Sequence, residues 1–377
     1  MNFDTIRPYH DQEVNSALTD LINHSMMKAL FDYAFPGKDI NFYNDKIKEI
    51  HSIYDFHSKV IYPALSRVIK ETANELGSFG FEQLDQTTSY LYISNHRDIV
   101  LDTSITNLVL LENKLRMTAS AIGDNLVGTP FLHKFSKINR NFLVHRSLSP
   151  RDMLIKSKEL SAYIPHLMKN GNSIWLAQKE GRTKDGNDQT NPGILKMLSL
   201  NKPKEMHLCD YFKTLNIIPL SISYEYDPTD YMKMPAVLAA LNGVKYKKTK
   251  NEDFNNILKG VLGYKKDIHL VCGTNLDDYL DELKEKDLSV NLTIKAFAQK
   301  VTEQIQINYQ LHETNYIAFD ILNNTEASKA HYTEDAVKIF IKRMAKSIDI
   351  KDAELVKNFL LMYANPVINK LKIQSYA

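Results

Sequence analysis

Apolar and polar residues follow different periods in different parts of the chain. Over roughly the first 75 residues apolar side chains recur at spacings of three and four, most clearly in IYDFHSKVIYPALSRVIKETANEL, residues 53–76. This period is typical of helices that bury one face. A break follows at GSFGF, and from there to about Gly273 short apolar runs of β type alternate with helical segments. Beyond Gly273 the helical period returns.

The middle region predicts a layered sheet. The runs with the composition and length of strands are 90–95, 116–122, 141–146, 173–178, 216–226 and 267–272. Because helical patterns separate these runs, they favour an α/β fold. We predict a mostly parallel central sheet flanked by helices, with helical N- and C-terminal regions. The predicted boundaries are residues 1–78 for the N-terminal region, 79–275 for the α/β domain and 276–377 for the C-terminal region.

Composition narrows the classes of protein. The 377 residues are 44% hydrophobic and carry a formal net charge of +2, which fits a globular chain and gives no sign of nucleic-acid binding. Cys209 and Cys272 lie far apart, so neither a disulfide scaffold nor a structural zinc site is predicted. The N-terminus does not resemble a secretory signal, and no run of apolar residues is long enough to cross a bilayer. A cytoplasmic location is therefore expected, which still allows binding at a membrane surface.

One polar stretch interrupts the apolar pattern where chemistry is expected. In LYISNHRDIVLDTS, residues 91–104, His96 follows a strand and precedes a helix. In α/β folds this position faces the crevice that holds ligands, although a histidine there can also serve as a helix cap. A carboxylate bonded to one ring nitrogen would fix the tautomer and leave the other nitrogen free to accept a proton. Asp98 and Asp102 are both candidates for that role.

Two further strand ends carry arginine. NFLVHR ends on Arg146, and SIWLAQKEGRTKDG contains Glu180, Gly181 and Arg182 after its strand. Arginines at the ends of neighbouring strands suit bidentate capture of a phosphate, and a glycine lets the backbone approach closely. Further cations at Lys179 and Lys184 would supplement the two arginines. The alternative for Glu180 and Arg182 is a surface ion pair of little consequence.

Four segments in order now resemble a known family. NHRDIVLD, NFLVHR, KEGRTKDG and NIIPLSISYEY are similar to the four sequence blocks of the glycerol-3-phosphate and lysophosphatidate acyltransferase superfamily, over roughly residues 81–227. The resemblance implies transfer of a fatty acyl group from acyl carrier protein or a coenzyme A thioester to a hydroxyl of a glycerol phosphate or lysolipid. Because a thiolate is a good leaving group, we expect no cofactor and no metal. It implies His96 as general base with an aspartate partner, and Pro219 in the block linked to the acyl donor. The implied acceptor-binding residues are Arg146, Glu180, Gly181, Arg182 and Lys184.

Two departures from the family pattern bear on these residues. The family has four residues between histidine and aspartate, whereas five separate His96 from Asp102, so both Asp102 and Asp98 stay candidates. Family members often carry a lysine before the glycine of the segment NPGILKM, where this chain has Asn191 and Pro192. Lys196 is the nearest substitute.

Alternative functions remain compatible with these residues. The acceptor hydroxyl could belong to an amino-acid lysolipid, or the chain could be a non-catalytic module that binds lipid or a carrier protein. A phosphoester hydrolase is disfavoured because no cluster of carboxylates is present to hold its metals.

The C-terminal region adds a candidate membrane contact. From Lys329 onward nine Lys and Arg stand against five Asp and Glu. In AVKIFIKRMAK, Val337, Ile341 and Met344 share one side, and Lys338, Lys342 and Lys346 another. This basic amphipathic helix predicts either packing on the catalytic domain or attraction to anionic lipid on the inner face of a membrane.

Overall fold

A computed structural model describes residues 2–146, 148–249 and 252–376. Its strands form one seven-stranded sheet in the order β1-β7-β6-β2-β5-β3-β4. Their bounds are β1 (Ala73–Phe79), β2 (Leu91–Ser94), β3 (Thr118–Gly123), β4 (Asn141–Val144), β5 (Ser173–Ala177), β6 (Ile217–Tyr224) and β7 (Lys266–Cys272). Neighbours pair in parallel except β6 and β7, which are antiparallel. The predicted class, a mostly parallel α/β sheet flanked by helices, is confirmed.

Helices precede the sheet and connect its strands. The N-terminal helices are α1 (Asp11–Leu21), α2 (Ser25–Ala34), α3 (Ile40–Lys48), α4 (Ile53–Phe56) and α5 (Tyr62–Thr72), with a π-helical turn at His57–Ile61 before α5. Within the sheet region lie α6 (Leu101–Glu112), α7 (Pro130–Ile138), α8 (Pro150–Lys169), α9 (Pro192–Leu198), α10 (Leu208–Lys213), α11 (Asp230–Leu241) and α12 (Glu252–Leu262). The C-terminal helices are α13 (Asp277–Glu285), α14 (Val290–Asn308), α15 (Glu313–Asn323), α16 (Glu334–Ser347) and α17 (Ala353–Tyr376).

Both faces of the sheet are buried, as the connecting helices require. Along β2, Leu91 and Ile93 belong to one hydrophobic cluster, and Tyr92 belongs to the cluster on the opposite face. Trp175 of β5 lies on the same face as Tyr92. The central strands β2, β5 and β6 are buried almost throughout, so their sequences lack the alternation of a half-exposed strand, whereas β1 at the edge of the sheet is largely exposed.

The sheet includes one strand that the sequence pattern did not predict. The helical run 53–76 was expected to continue to Leu76, but α5 ends at Thr72 and β1 starts at Ala73. Ala73 has extended dihedrals, and β1 pairs in parallel with β7. The residues ANEL favour a helix by propensity, so pairing with a strand almost 200 residues away overrides the local preference.

The basic amphipathic helix predicted near the C-terminus is α16. Phe340 and Met344 are buried in the cluster formed with α15 and α17, whereas Ile341 is 44% exposed. Lys338, Lys342 and Lys346 are exposed. One side of α16 is therefore part of the C-terminal core. In the described residues no helix is long and apolar enough to cross a membrane.

Candidate active site

The parallel strands bring their carboxyl ends to one edge of the sheet, and the predicted polar residues follow those ends. His96 follows β2, Glu180 and Arg182 follow β5, and Arg146 follows β4. Loops at the carboxyl edge of an α/β sheet are the usual ligand site because the strand ends and helix starts meet there. We call this edge, with its loops, the carboxyl edge.

His96 pairs with Asp102 at this edge. The distance between His96 Nδ1 and Asp102 Oδ2 is 2.7 Å. A carboxylate at this nitrogen favours the tautomer that carries its proton on Nδ1, so the other ring nitrogen, Nε2, is left as the acceptor. Trp175 lies edge-on to the imidazole, with ring centroids 5.4 Å apart. The ring is thus held by a hydrogen bond on one side and an aromatic contact on another.

Asp102 is itself held by several donors. It sits in the first turn of α6, where the backbone N–H groups of Arg97 and Asp98 donate to Oδ2 at 2.6 and 3.0 Å. The hydroxyl of Tyr224, from the end of β6, donates to Oδ1 at 2.9 Å. The side chain of Asp102 is only 1% exposed. These contacts fix the carboxylate, and through it the imidazole, before any substrate binds.

Asp98 has a different environment and makes no hydrogen bond to His96. Its Oδ1 accepts from the N–H groups of Val100 and Leu101, at 3.0 and 2.9 Å, and so caps the start of α6. Its Oδ2 is buried and has no hydrogen-bond partner among the described residues. Burial, and then the nearby charge of Asp102, raise the pKa of Asp98. The extra residue between His96 and Asp102 is accommodated in the bend at residues 99–100, ahead of α6.

Buried polar contacts join the loop that carries His96 to β6, to the loop after β5 and to the end of α14. The side chain of Asn95 accepts from the N–H of Ile222 and donates to its carbonyl oxygen, at 2.8 and 2.9 Å, which joins β2 to β6. Arg97 forms a buried ion pair with Asp188 and lies over the ring of Tyr309, 5.1 Å from its centroid.

The loop after β5 is tied to His96 directly. The N–H of Thr183 donates to the carbonyl of His96 at 2.8 Å. The loop that carries Glu180 and Arg182 therefore has a fixed position relative to the imidazole. Arg97, Asp188, Thr183 and Tyr224 were not singled out from the sequence, although all of them except Asp188 lie within the four recognised segments.

Arg146 reaches across the sheet to Glu180. The two form an ion pair, with 36% and 76% of their side chains exposed. Arg146 was expected on a strand next to that of Arg182, but β3 lies between β4 and β5. Gly123, the last residue of β3, gives the guanidinium room to cross, because a Cβ there would lie 2.9 Å from Arg146 Nε. That Nε is buried and has no hydrogen-bond partner among the described residues.

The loop after β5 gathers further positive charge. Arg182 donates to the hydroxyl of Thr229 at 3.1 Å. Lys184 is exposed in this loop, and its pKa is lowered by partial burial and then by the positive charges of Arg182, Lys179 and Lys248. Gly181 has a φ of 75°, in the left-handed region that glycine adopts without strain. Several cations within reach of one another create an anion-binding potential beside His96.

Pro219 lies inside the sheet. It is buried within β6, opposite Ile93 of β2, and its carbonyl accepts from Gly273 at 2.8 Å. In this register it lies level with a residue three positions before His96. Pro219 is therefore near the end of β2, as a buried residue of the central sheet.

The segment NPGILKM starts a helix. The Asn191 side chain accepts from the N–H of Gly193 at 2.8 Å, and Pro192 occupies the first position of α9. Asparagine at the cap followed by proline is a strong helix-start signal, so this departure from the family pattern has a local structural role. Lys196 is exposed on α9.

A separate cluster near the same edge has metal-binding residue types. Ligand atoms of Glu225, Asp267 and His312 lie within 4.8 Å of one another. Lys266 forms ion pairs with Glu225 and Glu313 at 2.7 and 2.8 Å. Within this cluster, the charge of Glu225 is therefore already balanced by an ammonium group. Burial raises the pKa of Glu225 to about 7 although Lys266 acts to lower it.

Comparisons with known proteins give little support of their own. No family model matches the chain, and no curated protein matches it. Among solved structures the chain is similar to the crystal structure of the 1-acyl-sn-glycerophosphate (LPA) acyltransferase PlsC from Thermotoga maritima, with a TM-score of 0.34 and 11% identity. The match covers 76% of this chain and 94% of that chain.

Proposed function

We propose that the chain is an O-acyltransferase that moves a fatty acyl group from an acyl thioester to a hydroxyl of a glycerolipid precursor in phospholipid synthesis. The observation that carries the proposal is the His96–Asp102 pair, 2.7 Å apart, at the same sheet edge as Arg146 and Arg182. A general base beside an anion-binding cluster fits an alcohol that also carries a phosphate.

The proposed reaction needs one proton transfer at the start and one at the end. Nε2 of His96 takes the proton from the acceptor hydroxyl while the oxygen attacks the thioester carbonyl. Asp102 stabilises the positive imidazolium. The tetrahedral intermediate then collapses, the carbon–sulfur bond breaks, and the thiolate leaves and takes the proton back from His96. The products are an ester and a free thiol, and a thiolate leaves readily enough for this to need neither a metal nor a covalent enzyme intermediate.

The acceptor in this proposal is glycerol-3-phosphate or lysophosphatidate. Arg146 and Arg182 bind its phosphate, because guanidinium groups form paired charge-assisted hydrogen bonds with phosphate oxygens. The Arg146 side chain is 36% exposed, so a ligand can reach it. Lys184 adds positive charge, and Gly181 leaves space for the ligand beside the backbone. Glu180 holds Arg146 until the acceptor arrives.

The proposed donor is a thioester of acyl carrier protein or coenzyme A, and the proposed location is the inner face of a membrane. Pro219 belongs to the segment that the family resemblance links to the donor. Its place inside the sheet supports a role in shaping β6 more than a direct contact. We further propose the three regions 1–78, 79–275 and 276–377 as the working division of the chain, although β1 joins the sheet from the first of them.

Two other functions use the same residues. An O-acyltransferase for an amino-acid lysolipid would keep His96 and Asp102 but would need less positive charge than Arg146, Arg182 and Lys184 provide. A non-catalytic module for lipid or carrier protein would not need the hydrogen bonds that position Asp102. The charge cluster and the ordered pair therefore favour the phosphate-bearing acceptor.

The deciding experiment is an acceptor panel with the purified full chain. Acyl thioesters of acyl carrier protein and of coenzyme A are each mixed with glycerol-3-phosphate, lysophosphatidate, a neutral monoacylglycerol or an amino-acid lysolipid, and thiol release is followed. The proposal expects release that depends on an acceptor and is fastest with the phosphate-bearing ones. Release only with the amino-acid lysolipid would select the second function, and no release with any pair would leave the binding module.

A further inference from the structure

Three large apolar side chains stand exposed in a row beside the candidate active site. Met153, Leu154 and Ile155, in the first turns of α8, are 55%, 51% and 55% exposed. Single exposed apolar residues are ordinary, but three consecutive ones are uncommon on the surface of a soluble domain unless they have a function. Successive helical residues point about 100° apart, so the three together span about 200°, just over half of the helix circumference.

The first turns of α8 lie on the surface. Residues 150–155 are all exposed, residues 156–159 are exposed or half-buried, and the buried residues of α8 begin at Leu160. Lys158 already contacts the body of the protein, because its carbonyl accepts from the side chain of Asn201. The start of the helix is well formed, because the hydroxyl of Ser149 accepts from the N–H of Asp152 at 3.2 Å and Pro150 occupies the first position.

The exposed first turns of α8, residues 150–155, start at the carboxyl edge. Arg146, at the end of β4, precedes α8 by four residues. Residues 145–159 contain four Lys and Arg against two Asp and Glu. The exposed apolar side chains are therefore accompanied by positive charge.

The helix α11 and the loop after it also expose apolar side chains among lysines, on the other side of His96. After β6, α11 and the following loop expose Leu238, Leu241 and Val244 by 38%, 46% and 61%. Residues 242–249 contain Lys245, Lys247 and Lys248 and no acidic residue. Lys248 pairs with Asp253 at 2.6 Å. Arg182, in the loop after β5, donates to the hydroxyl of Thr229, the residue before α11. The helix α11 therefore starts beside the cations of the candidate site.

We propose that these two elements form a surface that docks on an anionic lipid membrane, with the His96 site between them. This docking surface consists of Met153, Leu154, Ile155, Leu238, Leu241 and Val244. Aliphatic side chains that project among lysines insert at the headgroup boundary of a bilayer, while the lysines attract anionic lipids. An acidic carrier protein would match the charge but would not need aliphatic side chains spread over more than half of a helix circumference. The inference rests on the proposed function in one respect, since a lipid acceptor or product reaches His96 most directly from a bilayer on this side.

Exposed apolar residues at the start of α14, far from the docking surface, provide a matched control for vesicle binding. Leu288, Val290 and Leu292, at the start of α14, are 37%, 59% and 53% exposed. Tyr309, just past the other end of α14, lies against Arg97 in the site loop. The 19 residues of α14 place the control residues about 28 Å along the helix from that contact.

The test is sedimentation of the full chain with vesicles of equal parts phosphatidylglycerol and phosphatidylcholine, or of phosphatidylcholine alone. One triple variant carries Met153→Ser, Leu154→Ser and Ile155→Ser; a second carries Leu238→Ser, Leu241→Ser and Val244→Ser. The control carries Leu288→Ser, Val290→Ser and Leu292→Ser. Thermal melting verifies that each variant is folded, as exposed positions allow.

We expect the wild type to bind the anionic vesicles more strongly than the neutral ones and less strongly as salt rises. Each docking variant should bind about tenfold more weakly or worse, and the control should bind as the wild type does. Three results would overturn the proposal: unchanged vesicle binding in both docking variants, an equal loss of binding in the control, or binding to acyl carrier protein without binding to vesicles.

The charge reversal of Lys338, Lys342 and Lys346 to Glu tests α16. If this variant loses vesicle binding while the docking variants keep it, the membrane contact belongs to α16 and the proposed docking surface is wrong. Vesicle binding without thiol release in any assay would leave this inference standing and remove the proposed acyltransferase function.

Discussion

The role of His96 as a general base depends on which carboxylate is hydrogen-bonded to its imidazole. Asp102 accepts from three N–H or O–H donors besides facing the imidazole, and it is almost fully buried. Asp98 caps α6 and has one oxygen without a partner in the described part of the chain. The two acids lie four residues apart in sequence, but Asp102 orients the imidazole and Asp98 accepts from N–H groups at the start of α6. Only the three-dimensional contacts distinguish these roles.

We predict that Asp102→Asn lowers kcat by at least about a hundredfold, because an amide cannot stabilise the imidazolium and favours the wrong tautomer. Asp98→Asn keeps the oxygen that caps α6 and replaces a partnerless oxygen with an amino group, so kcat should stay within a few fold of wild type. The measurement is thiol release at saturating acceptor. A larger loss in Asp98→Asn than in Asp102→Asn would move the partner role to Asp98.

Gly123 gives a second residue-scale prediction, since it makes room for Arg146. In Gly123→Ala the new Cβ would lie 2.4 Å from Asn125 Oδ1 and 2.9 Å from Arg146 Nε, so the guanidinium must shift. We expect the KM for a phosphate-bearing acceptor to rise several-fold, in the same direction as in Arg146→Ala, with little change in the KM of the thioester. Gly128→Ala is the matched control, because its Cβ would meet nothing within 4 Å. Unchanged acceptor kinetics in both Gly123→Ala and Arg146→Ala would exclude Arg146 from phosphate binding.

At the scale of elements, the helix α12 packs directly on the His96 loop. Its Gly260 is buried, and a Cβ there would lie 2.2 Å from Oδ2 of Asp98. The backbone of α12 therefore covers the buried carboxyl at the start of α6. The Lys265 ammonium, buried just after this helix, is held by the hydroxyl of Thr72 and two backbone carbonyls.

We predict that Gly260→Ala destabilises the fold by about 1–3 kcal/mol, because overpacking forces α12 and the His96 loop apart. Urea unfolding of this variant, with Gly128→Ala as the control, measures the effect. Asp98→Ala combined with Gly260→Ala removes the clash and should recover part of the loss relative to the sum of the single changes. Additive losses would mean that the two residues do not press on each other.

The sequence predicted the elements near the site better than the contacts between them. The six predicted strands, the helix after His96 and the basic amphipathic helix are all present, as β2–β7, α6 and α16, because apolar runs and helical periods report which residues are buried. The strand β1 was missed because its pairing with β7 is a tertiary effect. The ends of the strands predicted where His96, Arg146 and Arg182 lie, but not the strand order that separates β4 from β5, nor the part of Tyr224 in holding Asp102. Those depend on which strands become neighbours, and no local pattern encodes that.

At the scale of the whole molecule, helical layers enclose buried histidines whose protonation opposes folding. His57, in the π-helical turn before α5, is 6% exposed, and its Nε2 has no hydrogen-bond partner in the described residues. Burial, and then the charge of Arg140, lower the pKa of His57 from 6.5 to about 3. Burial likewise lowers the pKa of His312 to about 3.

These shifts predict a loss of stability in mild acid. The unfolded chain binds a proton below about pH 6.5, whereas the folded chain keeps each histidine neutral until about pH 3, so stability falls as the pH drops through this window. At pH 5 the loss should be about 2 kcal/mol for each histidine relative to pH 7.5. In His57→Gln the change in unfolding free energy between these pH values should shrink by about that amount, while His51→Gln, at an exposed position, should leave it unchanged. Equal pH dependence in wild type and His57→Gln would contradict the burial of a neutral imidazole.

The proposed acyl transfer requires His96 as its general base, and thiol release by His96→Ala tests this requirement. The assay uses the thioester and phosphate-bearing acceptor that the wild type prefers, with His51→Ala as a control at an exposed histidine far from the site in sequence. General-base catalysis contributes roughly 100- to 10,000-fold, so kcat of His96→Ala should fall by at least about a hundredfold with an unchanged melting temperature, and His51→Ala should retain full activity. A folded His96→Ala variant that works within a few fold of wild type would contradict the account.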